Sequence, residues 1–324
     1  MPYVSFILPA YKRSYLKAAI ESILAQTFRD FELVVVDDAS PENLKEVVDA
    51  FSDSRISYFR NSENMGSKSL AGAWNAAMRH ARGEWCVLAS DDDVYSPRFL
   101  EVMLGLLRKY PDCDLAHARV GYIDADGQFV RIGEQRVEFE TQVQFAYSRG
   151  VARFAQCAPD FIFRRTALEG IGGFVDFPLA WYSDDATWMM LSKNGVACSS
   201  ELLFFYRLSG QSITTKSGYL EEKVEAAEMF RDWFRVYATT LLPQTEEDRL
   251  LAKDIVRAAE KKLNCNLEHE MRYADNVFQW IRVISKTRVP RMEKLKFAAR
   301  KYRIIGLFGQ IVRWVVRLIC PSFR

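Results

Sequence analysis

Residues 88–95, Leu88-Ala89-Ser90-Asp91-Asp92-Asp93-Val94-Tyr95, form an apolar run of strand length that meets three consecutive carboxylates. Three adjacent anions repel one another and favour a loop, and some cation must offset their charge. A divalent ion carrying a phosphorylated ligand would do so. Oxygen ligands on a short loop suit Mg²⁺ or Mn²⁺, which keep waters and accept one or two carboxylates plus substrate phosphates. The same residues would serve as a solvated acidic turn capping a helix at Ser96-Pro97. Two more carboxylate pairs stand out. Asp37-Asp38 ends the apolar run 31–36, and Asp184-Asp185 opens a stretch of helical period. A helix start stabilises anions through its dipole and free N–H groups, so either pair could simply cap a helix.

The elements that must position these groups alternate in type. Residues 3–9 are an apolar run ending at Pro9, as expected of a parallel strand covered on both faces. Leu16, Ala19, Ile20, Ile23 and Leu24 set a helical period over 15–26. A strand at 31–36, a helix at 44–51, a strand at 56–59, a helix at 67–81 and a strand at 84–89 follow. This is a doubly wound α/β layout, in which ligands bind beyond the carboxyl ends of the strands. Pro9-Ala10-Tyr11, Asp37-Asp38 and the triple aspartate all fall at that edge.

The chain has 324 residues, 49% of them hydrophobic, enough for one large α/β body and an appendage. Net charge is +2, but from Lys286 onward eleven Lys/Arg face only Glu293, which gives the tail +10 and the remainder −8. A basic tail points to an anionic surface. The six cysteines are scattered without a C-x-x-C pair and read as reduced core residues. His80, His117 and His269 fit no metal-ligand spacing. Neither a signal peptide nor an apolar run of transmembrane length is expected.

The ordered set Val4-Ser5-Phe6-Ile7-Leu8-Pro9-Ala10-Tyr11, Ala25-Gln26-Thr27-Phe28, Val34-Val35-Val36-Asp37-Asp38-Ala39-Ser40, Asn64-Met65-Gly66, Ala73-Trp74-Asn75, Arg82-Gly83-Glu84, the triple aspartate, Gly172-Gly173-Phe174, Asp184-Asp185 and Tyr206-Arg207 resembles family 2 glycosyltransferases of the GT-A fold. The resemblance covers roughly residues 3–215. It implies a Rossmann-like, mostly parallel sheet flanked by helices, and a nucleotide-sugar donor. Pro9, Ala10 and Tyr11 would wrap nucleobase and ribose. Asp38 would accept a hydrogen bond from a uracil N–H, a donor that a carboxylate suits, so a UDP-sugar is expected. By the same resemblance the metal contact falls on Asp92, with Asp91 toward ribose or metal and Asp93 following as the second candidate metal ligand. Ser90 departs from the family pattern, as does Ser209, where many members have His.

By the same resemblance Asp185, the second member of its pair with Asp184, would be the general base of an inverting displacement, since a sugar hydroxyl attacks only as its proton is removed. Arg60 and Lys68 are candidates for phosphate contact. Pro159-Asp160-Phe161 with Arg164-Arg165 is a candidate for acceptor contact.

The expected organisation is a catalytic body at 1–217, divided into a nucleotide-sugar half (1–97) and an acceptor half (98–217), then a helical region at 218–324. Helices are expected at 219–241 and 245–269, with Leu250, Leu251, Ile255, Ala258, Ala259 and Leu263 packed on the body. From Arg303, Ile304, Leu307, Phe308, Ile311, Val315, Leu318 and Ile319 keep a 3.6 period opposite Arg303, Gln310, Arg313 and Arg317, the pattern of an interfacial helix with Trp314 at headgroup level. With Lys294, Lys296, Arg300 and Lys301 it would hold the protein peripherally on the anionic inner face of a membrane, facing the cytoplasm. The acceptor would be a cell-surface glycan or a lipid-linked one. So continuous an apolar face disfavours nucleic acid; an oligomer is compatible with the pattern. A non-catalytic nucleotide- or glycan-binding module would have no need of Asp185, and a nucleotidyltransferase would need a Gly-rich phosphate loop after the first strand.

Overall fold

The computed structural model describes residues 1–152, 154, 156–210 and 219–301. β1 (Val4–Ala10), β2 (Phe31–Asp37), β3 (Ile56–Arg60) and β4 (Trp85–Leu88) alternate with α1 (Leu16–Leu24), α2 (Leu44–Asp49) and α3 (Leu70–Met78). β1 pairs in parallel with β2 and β4, and β2 with β3. Successive residues of β1 face opposite ways, Phe6 and Leu8 into one apolar layer and Ile7 into another with Val34 and Val36. That two-sided burial is why the strand reads as a continuous apolar run.

β5 (Val94–Tyr95), α4 (Phe99–Lys109), β6 (Leu115–Ile123), β7 (Phe129–Ile132), β8 (Phe139–Glu140), α5 (Gln142–Tyr147), β9 (Phe161–Arg164), α6 (Arg165–Gly170), α7 (Ser183–Leu191) and β10 (Val196–Arg207) follow. The sheet order is β3-β2-β1-β4-β9-β6-β10-β5, with β7 on β6 and β8 on β10. β9 runs antiparallel to both β4 and β6, which leaves β4, β6 and β10 pointing the same way, while β5 and β8 on β10 and β7 on β6 are also reversed. The ends of β1, β2, β4 and β10 therefore share one edge.

Several of the short motifs turn out to be fastenings. Gln26 is fully buried; its amide donates to Ser96 O and accepts from Leu100 N, capping α4 at a terminus whose own N-cap side chain makes no capping bond. Asn75 clasps Phe174 by donating to its carbonyl (3.0 Å) and accepting from its N–H (2.7 Å). Gly173, at φ +97°, is required there, because a Cβ would lie 2.5 Å from Asn75 Oδ1. Two motifs almost a hundred residues apart thus explain each other.

α8 (Leu220–Ala238), α9 (Glu246–Lys253), α10 (Ile255–Met271), α11 (Val277–Ser285) and α12 (Arg291–Lys301) pack on the body and share one core with it, from Phe177, Trp188 and Met189 through Phe230, Phe234 and Leu263 to Trp280 and Phe297. Tyr237 Oη donates to Met189 O at 2.8 Å. The single helix expected at 245–269 is two. The chain leaves helical geometry at Asp254 (φ −125°, ψ 15°) after a helix fixed by a Thr245/Asp248 capping box. That break turns Leu250 out to solvent, whereas Ile255, Ala259 and Leu263 pack as expected. Cys265 is exposed, against the expectation of a core residue. The interfacial helix expected from Arg303 lies outside the described residues. The residues leading to it are docked on the body. Phe297 and Ala298 are buried, Lys294 Nζ donates to Thr287 O, and Lys301 Nζ donates to Arg272 O and Ala274 O at the end of α10.

Candidate functional site

The three aspartates after β4 point three ways. Asp91 turns back to the end of β1, where its Oδ2 accepts from the N–H groups of Tyr11 (2.8 Å) and Lys12 (2.7 Å). Asp93, the second candidate metal ligand, instead turns inward: it is buried and accepts from the hydroxyl of Ser90 and, at 2.8 Å, from Arg207 N. Burial, with the neighbouring Asp92 adding to it, pushes its carboxyl up to about 8. Asp92, the least buried of the three, lies beside the Lys12 ammonium, 3.1 Å away. Among the described residues no three His, Cys, Asp or Glu side chains are grouped to hold a metal. An ion at Asp92 would draw its other ligands from a diphosphate and water, which Mg²⁺ and Mn²⁺ accept, so this donor set fits them.

Asp38 is buried at the end of β2. Its Oδ1 accepts from Asn61 Nδ2 (2.7 Å) and Met65 N (2.9 Å), and its Oδ2 from Gly66 N (2.7 Å). A carboxylate has about four acceptor positions, so one is left for a ligand. Gly66 allows the approach; a Cβ there would lie 3.0 Å from Asp38 Oδ2. Pro9 is half-buried and Ala10 buried, whereas Tyr11 is 41% exposed. Arg60 is spent on Asp37 and Ser40 O, and Lys68 on Glu63, so neither phosphate candidate extends to the site unpaired.

Asp184 and Asp185 lie in the first turn of α7. Asp185 is buried and held bidentately by Arg149, with Gln156 Nε2 donating at 2.9 Å. Asp184 is half-buried; desolvation, reinforced by Asp185, lifts it to about 7. Arg149 stands on a single turn of π-helix, Ser148–Ala152, a form common at functional sites. Behind Asp185 a water-sized chamber of about 10 Å³ is lined by Arg149, Tyr182 and, from α8 and α10, Phe230, Leu263 and Asn266. The Cys157 thiol is pushed up by burial, with the nearby Asp160, Asp93 and Asp184 carboxylates adding to it.

Backbone strain marks the same places. Among the described residues the only non-glycine positions with left-handed φ are Ala39, directly after Asp38, and Leu179, Ala180 and Tyr182, directly before Asp184. Each costs about 1–3 kcal/mol, and such costs persist where the surroundings over-determine them, often at functional sites.

Other candidates sit elsewhere. Pro159, Asp160 and Phe161 are buried, and Arg164 and Arg165 pair with Asp114, Glu84 and Glu169, which leaves them in the scaffold. His80 stacks on Phe59, and His117 is buried 3.5 Å from Asp160. Sequence reasoning missed Lys12, Asn61, Arg149, Gln156 and Cys157; none stands in a spacing that signals a partner. Arg207 was flagged only as part of a dipeptide. It is the brace of the aspartate loop, donating from N to Asp93, from Nε to Asp92 O (2.8 Å), and from Nη1 to the carbonyls of Asp124 and Ala125 (3.2 Å each).

Comparison with known proteins bears on the family and the fold. The sequence is 26% identical over 221 residues to UDP-Glc:alpha-D-GlcNAc-diphosphoundecaprenol beta-1,3-glucosyltransferase WfgD of Escherichia coli, a match covering 65% of this chain and 79% of WfgD. The fold is similar to that of S. aureus TarS 1-349 in complex with UDP-GlcNAc (TM-score 0.66, 16% identity, 92% of this chain and 81% of that one). It is similar also to mannosyltransferase PcManGT from Pyrobaculum calidifontis in complex with GDP-Man and Mn²⁺ (TM-score 0.56, 18% identity, 97% and 84%). The sequence model of Glycosyl transferase family 2 matches residues 5–172, more than half of the chain, which therefore belongs to that family.

Proposed function

We propose that this glycosyltransferase moves a sugar from a UDP-sugar to a hydroxyl of a cell-surface glycan or lipid-linked acceptor, with inversion and with the help of Mn²⁺ or Mg²⁺. The observation that carries the reading is the pair of carboxylate groups, the aspartate loop after β4 with Asp92 and the first turn of α7 with Asp184-Asp185. The similarity to WfgD, named for a UDP-Glc donor and a diphosphoundecaprenol-linked acceptor, and to TarS in complex with UDP-GlcNAc supports a uridine donor. The GDP-Man and Mn²⁺ held by PcManGT support metal use.

In this reading Tyr11 stacks on the nucleobase, the last acceptor position of Asp38 takes its N–H, and Asp91 holds the Pro9-Ala10-Tyr11 loop in place. Asp92 holds the divalent ion, which when bound would neutralise the departing diphosphate. Asp185 removes the proton of the acceptor hydroxyl as its oxygen bonds to the anomeric carbon. The carbon–oxygen bond to phosphate breaks and its electron pair leaves with the diphosphate. Arg149 must loosen its hold before Asp185 can accept that proton. A second assignment, Asp184 as base, is favoured by its pKa of about 7, matched to neutral operation.

Residues 1–217 then serve as catalytic body, the first 97 for the donor, and 218–324 as a helical region that walls the base side and brings the enzyme to the cytoplasmic face of a membrane. No described helix is long and apolar enough to cross one. The test is nucleotide release from a panel of UDP- and GDP-sugars, with and without Mn²⁺. Release from a UDP-sugar that depends on Mn²⁺ is expected. Release from none of them, together with no thermal stabilisation by any, would overturn the donor assignment.

A further inference from the structure

Lys12 is fixed at both ends. Its backbone N–H donates to Asp91 Oδ2 at 2.7 Å, and its ammonium lies 3.1 Å from Asp92 Oδ2 and 3.8 Å from Asp91 Oδ1. The side chain is thus laid across the aspartate loop, against Asp92, the least buried of its three carboxylates. An ammonium and a divalent cation seek the same oxygens, and two cations in contact with one carboxylate repel each other.

We infer that Lys12 is a displaceable internal counter-ion: it competes with the divalent ion for Asp92, keeps affinity for the free ion low, and transfers to the donor's diphosphate, so that metal and donor bind together. This rests on the reading of Asp92 as metal ligand. The geometry supports the transfer because Lys12 directly follows Tyr11, on the loop held by Asp91 at the nucleotide edge. Its side chain is 32% exposed, with room to swing. Release of the ammonium also removes the neutralising charge from Asp92 at the moment the donor arrives, which is when the ion is wanted.

The experiment is titration of Mn²⁺ alone, followed by the electron paramagnetic resonance signal of the free ion, against the full chain and its variants. Lys12→Met is expected to lower the Mn²⁺ dissociation constant by at least about tenfold, because a unit charge about 4 Å from a divalent ion opposes it by that much even at the dielectric of water. Lys12→Gln should do the same and stands in should the first variant melt early. Lys12→Arg should bind Mn²⁺ as weakly as the parent. Lys17→Met, which removes an exposed charge from α1, should change nothing. Added UDP should tighten Mn²⁺ binding more in the parent than in Lys12→Met. Equal or weaker Mn²⁺ binding by Lys12→Met and Lys12→Gln, with Asp92→Ala still abolishing it, overturns the counter-ion and leaves the metal site standing. Absence of Mn²⁺ binding by every chain, with or without UDP, overturns both.

Discussion

Asp184 and Asp185 are adjacent in sequence and differ in electrostatic fate. Asp185 meets a guanidinium, while Asp184 meets an anion and a desolvating wall. Asp185→Asn should lower sugar transfer by about 10² to 10⁴ with donor affinity kept, the usual range for a positioned base. A loss of that size in Asp184→Asn, with Asp185→Asn near the parent rate, would move the role to Asp184, and steady-state kinetics of both variants decide it. Because Asp184 is lifted from 3.8 to about 7, its ionisation is disfavoured in the folded state, so the stability it contributes is present below pH 4 and is lost as pH rises through about 7. Urea midpoints of the parent should fall relative to those of Asp184→Asn across that window; parallel curves would refute the shift. Asp92→Ala should abolish Mn²⁺-dependent nucleotide release and leave the melting temperature within about 2 °C, since a loop carboxylate adds little to the core. The aspartates were legible as a group from their position after a strand. Their separate directions were not, because these are decided by Lys12 and Arg207, about eighty and well over a hundred residues away.

At the scale of elements, the sequence pattern tracked burial. β1 and β2 could be read because two covered faces demand unbroken apolar runs, and α8 because its stripe is long. The break at Asp254 left no such trace, since a capped short helix followed by a second one keeps nearly the same period. Motif residues divide: Gln26, Asn75 and Gly173 bind the frame together, whereas Asp38 and Asp92 are the ones proposed to meet ligands. Gly173→Ala should therefore destabilise by about 1–3 kcal/mol more than Gly172→Ala. Both have left-handed φ, but a Cβ at 173 strikes Asn75 while one at 172 meets nothing within 4 Å. Urea denaturation of the two variants checks the difference, and equal losses would mean the clasp yields freely.

For the whole molecule, the decisive fact is one core running from the sheet into the last helices. Trp188 is fully buried, with Phe161, Phe163 and Phe174 rings 4.9, 5.1 and 5.5 Å away. Trp188→Ala should cost about 3–5 kcal/mol, read as a lower urea midpoint, and should loosen α8 as well as the sheet. The membrane reading is tested by sedimentation with vesicles. The full chain should pellet with anionic but not neutral lipid, and a chain ending at Lys301 should stay in solution. Cutting there keeps Phe297 in its socket, which an earlier cut would not. Equal partitioning of the two chains would sink that reading. The net charge of the tail was visible from sequence; the docking of its first helix was not, because the partners of Lys294 and Lys301 are backbone carbonyls, which carry no residue signature.

The shared core also sets the terms on which this enzyme could be re-engineered. An exchange of residues 219–301 for those of a relative, made to bring in a new acceptor, would cut through a layer of interlocked rings: Phe177 against Phe230, and Met189 beneath Tyr237. The usable crossover is a surface through the packing, so a working hybrid would have to carry Phe177, Trp188 and Met189 along with the transplanted helices.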